Sequence, residues 1–136
     1  MPAQALARFD DDIFITTADF GRIETLAYLR LDPDHPAVPV LAAKLEAAVL
    51  CRPEDIPGDV VTVNTGVRYR VDGDAAPTSC ILVHPDQYVP TGQQVSLASP
   101  LGAALIGERE GARVSYSDDQ GRGRMLTIEK VVCRAG

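Results

Sequence analysis

The chain has 136 residues, 46% of them hydrophobic and 24% charged, which is enough apolar material for one globular core. Its formal net charge is −6 and its basic residues are scattered, which argues against direct binding of DNA or RNA, since phosphate recognition needs a basic face. No run of residues approaches the ~18 apolar positions that span a bilayer, so we expect no membrane segment.

The cysteines bear on the cellular compartment. Cys51, Cys80 and Cys133 lie far apart in the sequence and form no Cys-x-x-Cys pair. The N-terminal segment is acidic and lacks the apolar run of a secretory signal. We therefore expect reduced thiols in a soluble, cytoplasmic protein.

The N-terminal part predicts a helical hairpin. An acidic tail and a short extended segment at 13–16 precede a run with helical spacing over 18–31, for which Thr17 is the predicted N-cap. Three prolines within 31–39 end this helix, and a second helix is predicted over about 40–51. Two helices with a short connection form an antiparallel hairpin, whose arm reaches only about 20 Å at 1.5 Å per residue.

Beyond Cys51 the apolar pattern changes to short runs that are typical of β-strands. The predicted strands cover 60–63, 67–71, 79–84, 95–98, 113–117 and 125–132. One short helix interrupts them, with Ser99 as its N-cap, Pro100 at its first position and Gly107 at its end. This pattern predicts an antiparallel sheet with a short helix packed on it, and an α+β fold for the chain.

Two segments carry a resemblance to a known family. The segment SPLGAALIGEREGARVSY, Ser99–Tyr116, resembles the signature of the C-terminal domain of the Gre transcript-cleavage factors. The segments CRPEDIPGDVVTVNTGVRYR, Cys51–Arg70, and ILVHP, 81–85, resemble the Rnk branch of that family, the regulators of nucleoside diphosphate kinase. The chain departs from the family pattern at Gly111-Ala112, where Gly-Asp is usual, and its hairpin has the short length of the Rnk branch.

The resemblance covers roughly 17–133, and it implies a division of the chain into three regions. These are a tail with a short strand (1–16), an antiparallel coiled-coil hairpin (17–52) and an FKBP-like domain (53–136). It further implies a non-catalytic regulator of transcription elongation that binds RNA polymerase near the secondary channel. RNA polymerase is then the protein partner of a monomer that needs no cofactor and contacts DNA only through the polymerase.

The resemblance also points to two sets of site residues. The corner at Ala98, Ser99 and Pro100 faces polymerase in Gre factors, although its cap and proline equally serve the local fold. Asp32 and Asp34 lie at the predicted hairpin tip, where Gre factors carry carboxylates that help to hold a catalytic Mg²⁺. The other interpretation of this Asp-Pro-Asp sequence is a turn whose aspartates bond the local backbone.

Two other functions stay open on the sequence. One is genuine stimulation of transcript cleavage by the hairpin tip. The other is peptidyl-prolyl isomerase activity, which an FKBP-like domain suggests, although the predicted strands and loops offer few aromatic residues for a proline pocket. No catalytic or metal site is predicted, because His35 and His84 are far apart and Cys80 fits a strand core.

Overall fold

The computed structural model describes residues 12–90, 93–118 and 120–132. Its N-terminal part is a β-α-α-β unit in which two short strands pair in parallel, with Ile13 opposite Ala48. The elements in order are β1 (Ile13–Thr16), α1 (Thr17–Thr25), a π-helical turn (Leu26–Arg30), α2 (Ala37–Ala47) and β2 (Ala48–Cys51). The predicted extended segment at 13–16 is therefore confirmed, while the tail up to residue 11 lies outside the described residues.

Both hairpin helices differ in their limits from the prediction. The N-cap of α1 is Thr16 rather than Thr17, since the Thr16 hydroxyl accepts a hydrogen bond from the Asp19 amide at 3.1 Å. The second helix begins three residues earlier than predicted, because prolines are tolerated at and before the first turn, where no intrahelical amide partner is required. It ends at Ala47, and the remaining predicted helical residues form β2.

The π-helical turn changes which side chains of the first helix face the core. The Leu31 amide donates to the Leu26 carbonyl at 2.9 Å, five residues back, and this wider turn alters the angular spacing of the side chains. Leu29, which the helical spacing placed on the core stripe, is consequently 81% exposed. Ile23 and Leu26 are buried as that spacing predicts.

The C-terminal part contains a five-stranded sheet of order β5-β4-β3-β7-β6. Its strands are β3 (Gly66–Val71), β4 (Thr78–Val83), β5 (Gln94–Ser96), β6 (Arg113–Ser117) and β7 (Gly123–Val132). The predicted short helix is α3 (Pro100–Leu105), and single 3₁₀ turns cover Pro53–Asp55 and Pro85–Gln87. None of the helices in the described ranges is long and apolar enough to cross a membrane.

Two details of the predicted sheet are wrong. β4 and β5 pair in parallel, with Leu82 opposite Val95, so the sheet is mixed rather than wholly antiparallel. The run at 60–63 is not a strand, and only Val60 makes an isolated bridge. Asn64 adopts a left-handed conformation (φ 70°) and the Thr65 hydroxyl accepts from the Thr62 amide, which folds this segment into a turn.

One hydrophobic core joins the hairpin to the sheet. Its buried members from the hairpin include Ile23 and Leu41, and those from the sheet include Leu82 and Leu126. The hairpin therefore packs along the C-terminal part instead of projecting as a free arm over its whole length.

Gly107 sits where the two parts of the chain meet. Its carbonyl accepts from the Phe14 amide of β1 at 3.1 Å, and its own amide donates to the Val61 carbonyl at 2.9 Å. Its φ is +82°, and a Cβ at this position would lie 2.5 Å from a methyl carbon of Ile13. Both the backbone conformation and the close approach of β1 therefore require glycine after α3.

Candidate functional site

The corner between β5 and α3 is held by a compact set of hydrogen bonds. The Ser99 hydroxyl accepts from the Gly102 amide at 3.0 Å and donates to the Ser96 carbonyl at 2.7 Å. The Ala98 amide donates to the Ser96 hydroxyl at 3.0 Å, and Pro100 occupies the first turn of α3. The predicted cap and first-turn proline are confirmed, and the hydroxyl of Ser99 is committed to the local fold.

Gly102 allows this corner to close. A Cβ at this position would lie 2.0 Å from the Ser96 carbonyl oxygen and 3.1 Å from a methyl carbon of Leu82. Since real Cβ atoms do not approach a backbone oxygen so closely, a larger residue would push α3 away from β5. The glycine in the Pro-Leu-Gly sequence is thus a packing requirement of the corner.

An open groove of about 370 Å³ lies beside this corner, and we call it the corner groove. Its walls combine apolar and aromatic side chains from four separate segments: Tyr88, Val95, Pro100, Leu101 and Tyr116. Tyr88 is 43% exposed, and the adjacent Val89 is 50% exposed. The Val89 amide is held by the Gln94 side-chain oxygen at 2.7 Å, which ties the loop to β5.

The lining of the corner groove includes one carboxylate, that of Asp118, which is ion-paired with Arg124. Asp118 accepts hydrogen bonds from the Arg122 and Gln120 amides and from the Arg124 side chain, each at 2.9 Å. These bonds, the one from the Arg122 amide foremost, hold the pKa of the Asp118 carboxyl below its usual range. The groove therefore combines apolar and aromatic side chains with polar ones and with a carboxylate that its hydrogen bonds hold in place, which suits a protein surface better than a small reactive substrate.

The sequence located only part of this groove. Of the predicted corner residues Ala98, Ser99 and Pro100, the last two line the groove, and the structure adds Tyr88 from the loop after β4. Tyr116 and Asp118 were missed, because they come from the β6–β7 hairpin and reach the corner only through the tertiary fold.

The hairpin tip has the geometry of a turn. The Asp32 side chain accepts from the Asp34 amide at 2.9 Å, and the Asp32 carbonyl accepts from the His35 amide at 2.8 Å. The Nδ1 atom of His35 accepts from the Ala37 amide at 3.0 Å and so caps α2, a role that the sequence did not reveal. In the described part of the chain no group of three or more His, Cys, Asp and Glu side chains is placed to hold a metal ion.

A second groove of about 480 Å³ separates α1 from the turn after β4. Arg30 of the helix pairs across it with Asp86 at 3.2 Å, and both side chains are mostly exposed. The Nε2 atom of His84 is buried there without a hydrogen-bond partner in the described residues, and burial lowers the pKa of this imidazole. The groove holds no residue set that indicates a reaction.

The described cysteines are not placed for chemistry. Cys80 is buried in β4 as predicted, and burial raises the pKa of its thiol to about 11, so little thiolate exists at neutral pH. The pKa of the half-buried Cys51 thiol is also raised, by burial and by the nearby Asp55 carboxylate. Cys133 lies outside the described residues.

The corner groove lies within the part of the chain that matches a known protein family. Residues 56–132, which contain all the residues of the groove, match the family described as "Transcription elongation factor, GreA/GreB, C-term". The chain belongs to the GreA/GreB family. The resemblance predicted from Ser99–Tyr116 is thereby confirmed.

Individual relatives of this GreA/GreB family chain fall in the predicted branch. It is 35% identical over 104 residues, 76% of each chain, to a protein of Escherichia coli K12 named regulator of nucleoside diphosphate kinase. The protein of the same name from Shigella flexneri matches equally well. The solved structure of the elongation factor GreA/GreB from Nitrosomonas europaea is 32% identical, with a TM-score of 0.73 over 90% of this chain and 98% of that one. The mixed α+β fold is thus of the Gre type, while its FKBP-like and coiled-coil descriptions stay predictions.

Proposed function

We propose that this chain is a non-catalytic regulator of transcription elongation that binds RNA polymerase near its secondary channel. Membership of the GreA/GreB family supports the class of function. The main support for the docking site is the corner groove, which lies within the family-matched segment and is lined by two of the predicted contacts, Ser99 and Pro100. An exposed aromatic side chain, here Tyr88, beside partly buried apolar residues is typical of protein contact sites.

The limited reach of the hairpin supports the non-catalytic part of the proposal. At 1.5 Å per residue, the 14 residues of α1 and its π-helical turn span about 21 Å, and the 11 residues of α2 span about 17 Å. Part of that length packs on the sheet through residues such as Ile23 and Leu41, so less than the full length projects. The Asp32 carboxylate already bonds the backbone of its own turn.

The remaining features of the role are also proposals. We propose that the protein acts in the cytoplasm as a monomer, without a cofactor, and that it contacts DNA only through polymerase. The division of the chain into a hairpin (17–52) and a C-terminal domain (53–136) is likewise a proposal. Stimulation of transcript cleavage is the main alternative function, and it depends on the carboxylates of Asp32 and Asp34.

A pull-down with core RNA polymerase at micromolar concentration tests the proposal. We expect the wild-type chain to be retained, and Pro100→Glu and Tyr88→Ala each to weaken retention at least about tenfold, since a buried contact side chain is worth about 2 kcal/mol or more. Glu is compatible with the first turn of a helix, so Pro100→Glu should fold. Val49→Glu is the control, because Val49 is an exposed apolar residue of β2 outside the groove. If the wild-type chain is not retained while a Gre cleavage factor is, the proposal is wrong.

A further inference from the structure

The open face of the five-stranded sheet carries a cluster of basic side chains that polymerase docking at the corner groove does not use. Val67 and Tyr69 of β3 are buried, so Arg68 and Arg70 point to the opposite face. Lys130 of β7 lies directly opposite Arg68, and Arg113 of β6 lies opposite Thr127, which in turn lies opposite Arg70. We call Arg68, Arg70, Arg113 and Lys130 the cationic face.

Among the described residues, three of these four cations form ion pairs and the fourth does not. Glu129 pairs with Arg68 at 3.4 Å and with Arg70 at 3.0 Å, and Asp72 pairs with Arg113 at 2.7 Å. Lys130 makes no ion pair with any described residue. In the described part of the chain the ion pairs of these four cations thus involve two carboxylates, and a third, that of Glu110, accepts from the Val131 amide beside Lys130, although the whole chain has a net charge of −6.

The register makes this arrangement unfavourable for the isolated fold. Arg68 and Lys130 are directly opposite across two antiparallel strands, where like charges destabilise the sheet. Glu129 offsets part of this repulsion through its 3.4 Å ion pair with Arg68, but its shorter ion pair is with Arg70 and it forms none with Lys130. An anionic group bound between Arg68 and Lys130 would reduce the repulsion that remains.

A groove of about 370 Å³ lies at this position. Arg68 and Lys130 line it together with the polar residues Ser79 and Gln93, and no carboxylate of the described residues does so. Ile81 and Val132 give it an apolar side, and Val132 is 54% exposed. Gly66 also lines the groove, and it has no side chain that would occupy the groove.

We propose that this groove binds an acidic segment of a protein partner, with side-chain carboxylates between Arg68 and Lys130 and an aliphatic side chain against Ile81 and Val132. A polypeptide fits better than a nucleic acid for two reasons. The lining offers aliphatic contacts and no aromatic ring on which a base could stack. A chain of net charge −6 also repels a polyanion, whereas a short acidic segment interacts with the cationic face alone. This proposal is independent of polymerase docking.

Titration of the isotope-labelled full-length chain by NMR tests the proposal without polymerase. The probe is a 12-residue peptide of alternating Glu and Leu, and the matched probe has Gln in place of Glu. We expect saturable shifts of the backbone amides of Gly66, Arg68, Ser79 and Lys130 with the Glu peptide, and at least tenfold weaker binding of the Gln peptide. Shifts centred elsewhere, or no saturable binding of the Glu peptide, would overturn the proposal.

Charge variants complete the test. Arg68→Glu combined with Lys130→Glu should reduce the affinity for the Glu peptide at least tenfold, and Lys130→Gln alone should reduce it about threefold. Arg22→Glu combined with Arg52→Glu changes the net charge by the same amount away from the groove, and should leave the affinity within twofold. Equal losses in both double variants would show a net-charge effect and defeat the proposal. Tighter binding of a 12-nucleotide single-stranded RNA at the same amides would replace it with a nucleic-acid site.

Discussion

Lys44 of α2 forms a largely buried ion pair with Glu108, which follows α3, so a charged contact connects the hairpin to the segment after α3. The ammonium group also donates to the Ala104 carbonyl at 2.8 Å. Burial lowers the pKa of Lys44, and Glu108 opposes this effect through its charge and its hydrogen bond. The charged form of Lys44 thus depends on a partner 64 residues away.

Removal of that partner should be more damaging than removal of the lysine charge. Glu108→Ala leaves a buried ammonium without its carboxylate, and we expect a loss of about 3 kcal/mol in the free energy of unfolding. Lys44→Met keeps the aliphatic packing and leaves Glu108 partly hydrated, so we expect a loss of about 1 kcal/mol. Urea unfolding measures both values.

The exposed ion pair of Arg30 with Asp86 provides the control for this comparison. Both of its side chains are mostly exposed, so Arg30→Ala should cost less than about 0.5 kcal/mol. Equal losses in the Glu108 and Lys44 variants would contradict the role assigned to the buried charge.

Two glycines should respond in opposite directions to the same substitution. Gly102→Ala places a methyl group within 2.0 Å of the Ser96 carbonyl oxygen, and we expect a loss of about 2 to 3 kcal/mol as the corner opens. Gly21→Ala in α1 meets nothing within 4 Å, so it should stabilise the chain by about 0.5 to 1 kcal/mol through helix propensity. Thermal unfolding of the two variants beside the wild type measures these changes, and a stable Gly102→Ala chain would disprove the close packing of α3 on β5.

The burial of His84 should make stability depend on pH. Its folded-state pKa lies below the usual 6.5, mainly because burial disfavours the charged imidazole. The unfolded chain therefore binds a proton more readily than the folded chain. The stabilising contribution of neutral His84 is fully present above about pH 6.5, and it is lost as the pH falls through the folded-state value.

Unfolding by urea between pH 7.5 and 5 measures this contribution as a difference between two chains. His84→Gln should show a smaller decline than the wild type, and His84 can account for at most about 1.4 kcal/mol per pH unit. His35→Asn is the control, because an Asn oxygen can still accept from the Ala37 amide while His84 remains. Identical declines in the wild type and in His84→Gln would rule out His84 as the group responsible.

The elements whose local signals were unambiguous could be predicted from the sequence. Ser99 and Pro100 specify the start of α3 through their own chemistry, and alternation along β3 and β7 correctly predicted strands. Errors arose where tertiary contacts decide. Residues 48–51 continue a helical pattern, yet they form β2 because β1 supplies a parallel partner that the sequence does not reveal.

The candidate site shows the same division. Its corner follows from a cap and a proline that are adjacent in sequence, whereas Tyr116 reaches the groove through the pairing of β6 with β7. The parallel pairing of β4 with β5 was missed for a similar reason, since the described residues between the two strands contain a single 3₁₀ turn, Pro85–Gln87, and no α-helix of the kind that usually connects parallel strands. The local sequence pattern therefore predicted individual elements, but it could not predict which distant strands pair with each other.

Substitutions at the hairpin tip can distinguish a structural role of Asp32 and Asp34 in the turn from a role in binding a metal ion. Asp32→Ala removes the acceptor for the Asp34 amide and should cost about 0.5 to 1 kcal/mol, whereas Asp34→Ala should stay within about 0.5 kcal/mol of the wild type. Asn also forms this type of turn, so Asp32→Asn should restore the stability while it removes the charge. Chemical unfolding of the three variants gives these values.

A double variant without the two tip carboxylates distinguishes the proposed non-catalytic function from its alternative, stimulation of transcript cleavage. If the chain is a non-catalytic regulator, the double variant Asp32→Asn with Asp34→Asn should keep the full effect of the wild-type chain on elongating polymerase, and neither protein should shorten transcripts in stalled complexes. If the tip carboxylates hold Mg²⁺ instead, the wild-type chain should shorten transcripts and the double variant should not, because a neutral amide is a much weaker ligand for a hard divalent ion. Since the double variant preserves the turn, a loss of activity would be assigned to the missing charges and not to a distorted tip.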